Sequence, residues 1–251
     1  MTTRLHAEWH RLFLPHAGTG RRGPDEHTSL IDAKGQVRAM VLSLAKPADW
    51  LALSVVWHAV QADMGLPAPA IAVSGDEAYQ LWFSLADAVP ALQAQTFLEA
   101  LRARYLGHIS TERITLLPTV DAQAPQQVRH ADHLPPQPVQ ADQWSAFLAP
   151  DLAPMFAETP WLDLPPSPEG QADLLSSLQS IKPAAWQAAL TSSSPAQALV
   201  ETAASSVNSA ARSPCHDPRQ FLFDVMNDNT VALALRIEAA KALLPHGLGS
   251  P

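Results

Sequence analysis

The sequence is short of the residues on which many metal, redox and membrane functions depend. Its 251 residues include a single cysteine, Cys215, which excludes an internal disulfide and a zinc site built from cysteines. No stretch approaches the roughly 20 uninterrupted apolar residues of a membrane helix. The first residues carry charges and histidines where a signal peptide needs an apolar run. We therefore expect a cytoplasmic protein with no membrane span.

Positive charge is also scarce, and it is unevenly distributed. The net charge is −8; residues 1–118 hold 10 basic and 11 acidic side chains, whereas residues 119–251 hold 6 and 13. Proteins that bind nucleic-acid phosphates usually cluster lysine and arginine. The acidic second part of the chain argues against such binding. The first part is nearly uncharged overall and gives no support for it.

The most informative pattern that is present lies at residues 71–85. Apolar and other residues alternate on both sides of a Ser-Gly-Asp-Glu turn at 74–77, which predicts a β-hairpin. Side chains of a strand alternate between its two faces. One face of the second strand therefore carries Tyr79, Leu81, Phe83 and Leu85, and the other carries Gln80, Trp82 and Ser84.

Around this hairpin the chain alternates strand and helix in a recognisable order. The predicted elements are a strand at 37–45, a helix at 48–64, strands at 70–74 and 78–85, a helix from Pro90 to Gly107, and a strand at 113–117. This β-α-β-β-α-β order is that of the ferredoxin-like, or RRM-like, unit, in which two helices cover one face of a four-stranded antiparallel sheet. We predict an α+β domain over residues 1–118, preceded by a short helix at 5–14.

The rest of the chain has a different composition. Residues 119–168 are rich in proline, glutamine and alanine and are predicted to be a linker. Its apolar clusters, around Trp144, Met155 and Trp161, either dock on the first domain or bind a partner. Residues 169–251 are predicted to form an α-helical region with helices at 169–181 and 183–190 and, in the tail, at 218–226 and 232–244.

The central hairpin resembles the palm of the archaeo-eukaryotic primase superfamily. In that family a strand ending in Ser-Gly turns into an aromatic-rich strand, and Ser74, Gly75, Tyr79, Leu81, Trp82 and Phe83 match this pattern over a region spanning residues 37–117. The tail also resembles a helical segment of phage small-terminase-like proteins, which implies an association with DNA packaging. The few basic residues of this tail are interspersed with acidic ones, so the tail lacks a dense basic face.

The functional residues of the primase family are absent from the matching positions. The acidic pair that ends the first palm strand corresponds to residues 42–46, Leu-Ser-Leu-Ala-Lys, and the nucleotide-contacting histidine corresponds to Gln80. The third acid corresponds to Leu116, Leu117 and Pro118. Two-metal phosphoryl transfer needs anionic oxygen ligands. The resemblance therefore implies a degenerate, non-catalytic member, and we predict no enzymatic activity.

Other candidate sites are incomplete. His6 and His10 share a helix face at the i, i+4 spacing that suits a metal, but the sequence shows no third ligand. His130 and His133 lie in a proline-rich loop, which favours a solvated segment. Cys215 and His216 are neighbours in sequence, and the side chains of neighbouring residues diverge in most backbone conformations. The two are therefore not expected to act as a nucleophile and its base. We predict no catalytic residue, no metal site and no cofactor.

Three functions remain open at this stage. The first is a non-catalytic binding protein that docks a protein partner through its C-terminal helices or linker motifs. The alternative is a nucleic-acid-binding protein of replication or mobile elements, which would use an exposed sheet face carrying Gln80, Trp82, Ser84, Arg38 and Arg113. The third is a nucleotidyltransferase with displaced ligands. Coverage of that face by residues 1–30 or 140–165 would argue against the alternative, because Trp82 would then be a core residue.

Overall fold

The computed structural model describes residues 3–16, 29–121, 124 and 127–192. Cys215, the predicted tail helices and the terminase-like segment lie outside the described residues. The described residues belong to one compact unit, Met1–Ser194. Its helices are α1 (Arg4–Leu12), α2 (Trp50–Ala62), α3 (Ala91–Tyr105), α4 (Pro168–Ser176) and α5 (Pro183–Ser192).

The strands fall into a main group and a set of short pairs. The main strands are β1 (Gln36–Ala45), β2 (Ala70–Val73), β3 (Ala78–Pro90) and β4 (Ile114–Leu117). The short ones are β5 (Thr119–Val120), β6 (Val128–Arg129), β7 (Pro138–Gln140), β8 (Gln143–Trp144) and β9 (Ala146–Leu148). Between residues 36 and 117 the main elements follow one another in the order β1, α2, β2, β3, α3 and β4.

Local signals explain where the helices begin and end. The Asp49 carboxylate accepts a hydrogen bond of 3.0 Å from the Ala52 backbone N–H and caps α2, as a short polar side chain does at an N-cap. Thr3 caps α1 in the same way by accepting from the His6 N–H. Past the end of α2, Gly65 has a φ of +61°, a left-handed conformation that glycine adopts without strain.

The main sheet has five strands in the order β4-β1-β3-β2-β9, with every neighbouring pair antiparallel. The register places Leu42 of β1 opposite Leu81 of β3. At one edge, Ile71 of β2 lies opposite Leu148 of β9. The fold is thus α+β, as predicted, and the fifth strand comes from the segment that we expected to be a linker.

Two apolar cores lie on opposite faces of this sheet. The larger contains the β3 row of Tyr79, Leu81, Phe83 and Leu85 together with the buried side chains of α2 and α3. The smaller contains Trp82 and buried residues of α1, α4 and β9. β1 is buried along eight of its ten residues, because a strand in the middle of a sheet covered on both faces exposes neither row of side chains.

The second half of the described chain differs most from the prediction. Residues 119–168 contribute β9 to the sheet, and α4 and α5 belong to the same compact unit as residues 1–118. The predicted docking of apolar clusters is seen at Phe147, which is buried, whereas Met155 and Leu164 are exposed. Among the described residues no helix is both long and apolar enough to cross a membrane.

Candidate functional site

The residues predicted to form a nucleic-acid interface can be placed one by one, beginning with β3. Gln80, Trp82 and Ser84 share a face opposite the α2–α3 core, as the alternation predicted. That face is not exposed. Helices α1 and α4 contact each other and, with β9, contribute the apolar residues that lie over it.

Trp82 is the centre of this covered face. Only 1 % of its surface is exposed, and its ring meets Phe13 at 5.6 Å and Phe147 at 6.2 Å between centroids, both edge to face. Its indole N–H donates to Gln80 Oε1 at 2.9 Å. A buried tryptophan whose N–H already has an acceptor is a core residue. Trp82 is therefore not part of an exposed nucleic-acid-binding face, because Phe13 after α1 and Phe147 of β9 help to bury it.

Ser84 and Arg38 are also buried, and both hold the N-terminal segment in place. The Ser84 hydroxyl donates to the Leu12 carbonyl at 2.6 Å and lies 2.6 Å from Ser180 Oγ. The Arg38 side chain is 2 % exposed. Neither side chain can reach a phosphate or a base while α1 is docked.

Arg38 is a structural clamp made with backbone oxygens. Its guanidinium donates to the carbonyls of Leu85 (3.0 Å), His10 (3.1 Å), Leu14 (2.8 Å) and Arg11 (2.8 Å). Three of these carbonyls lie at or just after the C-terminal end of α1, where carbonyls lack helical donors and a positive charge is favourable. Burial lowers the pKa of Arg38 from its ordinary value, and the charge of Asp87 opposes this shift.

Arg113 lies apart from the other predicted interface residues. It immediately precedes β4, and its guanidinium donates to the carbonyls of Ala45 at 3.1 Å and Pro47 at 2.9 Å. It therefore fixes the chain that leaves β1. The five predicted residues do not form one solvent-facing surface.

The hairpin motif has a structural role in this fold. Ser74 Oγ accepts from the Ala78 N–H at 2.9 Å and donates to the Asp76 carboxylate, while Glu77 pairs with Lys46 at 3.3 Å. Gly75 has a φ of +90° and donates its N–H to the Pro160 carbonyl. The Tyr79 hydroxyl donates to the Ala153 carbonyl at 2.5 Å.

Of the histidines in the predicted solvated loop, His130 is half-buried against the sheet. Its Nε2 donates to the Ala39 carbonyl at 2.9 Å and its Nδ1 accepts from the Ala131 N–H at 2.7 Å. Burial lowers the pKa of His130 to about 4, since desolvation disfavours the charged ring. With both nitrogens used in this way, the ring is neutral and structural, whereas His133 is exposed.

Within the described residues, no three histidine, cysteine, aspartate or glutamate side chains are grouped so as to hold a metal ion. An open concave surface is found instead at one end of the sheet, between α2 and α4, which we call the α2–α4 groove. It has an apolar lobe of about 270 Å³ and a second lobe of about 490 Å³, and both are lined by Ala68, Ser177 and Leu178.

The lobes differ in chemistry. The apolar lobe is lined by Trp57, Phe147, Leu148, Leu174 and Leu175 among others, and Trp57 is fixed by donating its indole N–H to the Pro69 carbonyl at 3.0 Å. The second lobe is lined by Gln61, Gln179 and Lys182. Sequence reasoning missed this groove, because its walls come from segments about 75 or more residues apart. Only the Gly-Leu-Pro-Ala-Pro run at 65–69 marked an irregular turn there.

Comparison with known proteins adds no assignment to this geometry. No protein-family model, no curated protein and no solved structure gives a significant match to the chain.

Proposed function

We propose that this chain is a non-catalytic binding protein, built on a degenerate primase-like palm, that docks a segment of a protein partner in the α2–α4 groove. The observation that carries the proposal is the contrast between the covered sheet and the open groove. Both sheet faces bury apolar cores, so in the part of the chain that the structure describes neither face is an open binding surface. The groove is concave, largely apolar and supplied with a few polar groups, as binding sites usually are.

The order of elements supports the palm assignment. Strands β4-β1-β3-β2 follow the antiparallel arrangement expected of a ferredoxin-like unit with two helices on one face. The Ser74-Gly75 turn precedes the aromatic-rich strand β3. Carboxylates are missing from the ends of β1 and β4, where the primase family carries its metal ligands. A protein with this arrangement has lost the ligands for metal-dependent nucleotidyl transfer.

The lining of the groove defines the chemistry of the partner segment. Leucine, phenylalanine and tryptophan side chains in the apolar lobe match aliphatic side chains, whose burial contributes about 25 cal/mol for each Å² removed from water. Lys182 is the one charged residue that lines either lobe in the described structure. We therefore expect a short peptide segment with one or two large aliphatic residues followed or preceded by a carboxylate.

A defined peptide library provides the test. Peptides displayed on phage are selected against the full chain, and the dissociation constant of the best synthetic peptide is measured by fluorescence anisotropy. We expect aliphatic residues next to Asp or Glu in the selected sequences. Ala68→Leu, which fills the point where the lobes meet, should weaken binding at least about tenfold, equivalent to roughly 1.4 kcal/mol. Lys182→Ala should weaken it less and remove the preference for the acid.

Matched variants separate the groove from the rest of the surface. Ala62→Leu, at the exposed end of α2, and Lys34→Ala, in an exposed turn, should bind the peptide as the unaltered chain does. Selected peptides that bind equally well to Ala68→Leu would overturn the groove as the docking site. Salt-dependent binding of a labelled single-stranded oligonucleotide would instead favour the nucleic-acid alternative, and metal-dependent nucleotide incorporation would refute the loss of catalysis.

A further inference from the structure

Two histidines lie side by side on the outer part of α1. His6 Nε2 and His10 Nε2 are 3.2 Å apart, and the ring centroids are separated by 4.8 Å. Both side chains are half-buried. The i, i+4 spacing places them one above the other on the helix, and α1 is held at both ends, by the Thr3 cap and by the Arg38 clamp.

The distance suits a shared metal ion. Imidazole nitrogens bind first-row metals at about 2.0–2.1 Å, so two adjacent ligands are about 2.9 Å apart at a right angle and about 3.4 Å apart at the tetrahedral angle. The observed 3.2 Å lies between these values. The terminal torsion of histidine is soft, so both rings can turn their Nε2 lone pairs toward one point.

From this geometry we propose that His6 and His10 supply two nitrogen ligands to a site for a divalent transition metal that prefers imidazole. Glu8 does not contribute, since it lies on another side of α1 and pairs with Arg11 at 2.6 Å. For a fixed set of nitrogen ligands the affinity order is Cu²⁺ above Ni²⁺, with Zn²⁺ below Cu²⁺. The bound ion takes the place of the hydrogen that the two rings share.

The site has consequences for the fold as well as for metal content. A metal that joins residues 6 and 10 is bound only when this part of α1 is helical. Binding to the folded state alone raises stability according to metal concentration. Since α1 supplies apolar residues of the core around Trp82, metal binding would strengthen the cover over that face.

The test is a titration of the full chain with Cu²⁺, Ni²⁺ and Zn²⁺ by calorimetry. Tryptophan fluorescence gives a second readout, because the His6 ring lies 5.8 Å from the Trp9 ring and a bound Cu²⁺ should quench it. We expect one saturable site in the order of affinity given above. His6→Gln and His10→Gln should each weaken Cu²⁺ binding at least about tenfold, and Trp9→Phe should retain the affinity but lose much of the quenching.

Controls separate the pair from the other histidines. His108→Gln alters an exposed histidine elsewhere and should leave binding unchanged. The melting temperature should rise with Ni²⁺ in the unaltered chain and in His108→Gln, but not in His6→Gln. Absence of saturable binding, or equal affinity in the double variant His6→Gln/His10→Gln, would overturn the proposal. Circular dichroism establishes that the variants remain folded.

Discussion

Replacing Arg38 by methionine removes a buried charge that holds α1 against the sheet. Methionine has a comparable length and no donor, so the substitution deletes all four hydrogen bonds to backbone carbonyls without opening a large cavity. Those carbonyls stay in place as long as α1 remains docked. The variant therefore leaves acceptors without partners while relieving the cost of burying the guanidinium.

The expected loss of stability follows from these opposing effects. A buried carbonyl without a donor costs about 1 kcal/mol at the lower end of measured values, so four of them bring a loss of roughly 4 kcal/mol. The relief of desolvation offsets part of this, because a buried charge is itself unfavourable. We expect a net loss of about 3 kcal/mol, a large fraction of the roughly 5–15 kcal/mol that stabilises a typical domain. The stability of Arg38→Lys should lie between that of the unaltered chain and that of Arg38→Met, because an ammonium group cannot reach four carbonyls at once.

The measurement is the free energy of unfolding from urea titrations followed by circular dichroism, with tryptophan emission recorded in parallel. Arg113→Met is the matched control, because it removes two hydrogen bonds to carbonyls at a partly exposed site, and it should cost about 1 kcal/mol or less. An Arg38→Met variant as stable as Arg113→Met, with unchanged tryptophan emission, would refute the clamp.

Three further predictions concern single positions. In His130, whose folded pKa of about 4 lies below the ordinary 6.5, the unfolded ring takes up a proton at a higher pH than the folded one. The free energy of unfolding should therefore fall by up to about 3 kcal/mol as the pH drops from 7 to 4. In His130→Gln the free energy of unfolding should depend less steeply on pH over this range. An unchanged slope would contradict the assignment. Gly75→Ala would place a Cβ 2.7 Å from the Ser145 backbone nitrogen at a φ of +90°, so the urea midpoint should drop by the equivalent of about 3 kcal/mol. Gly65→Ala, with nothing within 4 Å, should cost about 1 kcal/mol, and equal losses at the two glycines would remove the steric argument. Tyr79→Phe deletes the hydroxyl that donates to Ala153 and should cost about 1–2 kcal/mol by thermal unfolding; a neutral result would mean that this bond adds nothing.

Much of the first half of the fold could be predicted from local sequence. The alternation at 71–85 located β2 and β3 and assigned Leu81 and Trp82 to opposite faces, since the strand period is fixed by backbone geometry. The apolar spacing at 53–64 located α2. The prediction of a short helix near 5–14 also holds, for α1 spans Arg4–Leu12.

The cover of the sheet and the groove could not be predicted in the same way. β9 is only three residues long and stands in a proline-rich segment, so its own pattern is too short to indicate a strand. Its place in the sheet depends on pairing with β2, about 75 residues earlier, and such pairing leaves no periodic signal. Arg38 was placed on an exposed sheet face in the nucleic-acid alternative, whereas the carbonyls at the end of α1 and that of Leu85 explain its buried position.

The fifth strand also determines when the domain can be completed during synthesis. Until residues 146–148 leave the ribosome, β2 has an edge of unpaired backbone groups, and Trp82 lacks the aromatic ring of Phe147. Such an edge invites pairing with another nascent chain. A chain cut after Pro118, at the boundary that the sequence suggested, would keep both defects permanently, and it should aggregate although every strand of its β-α-β-β-α-β unit is present.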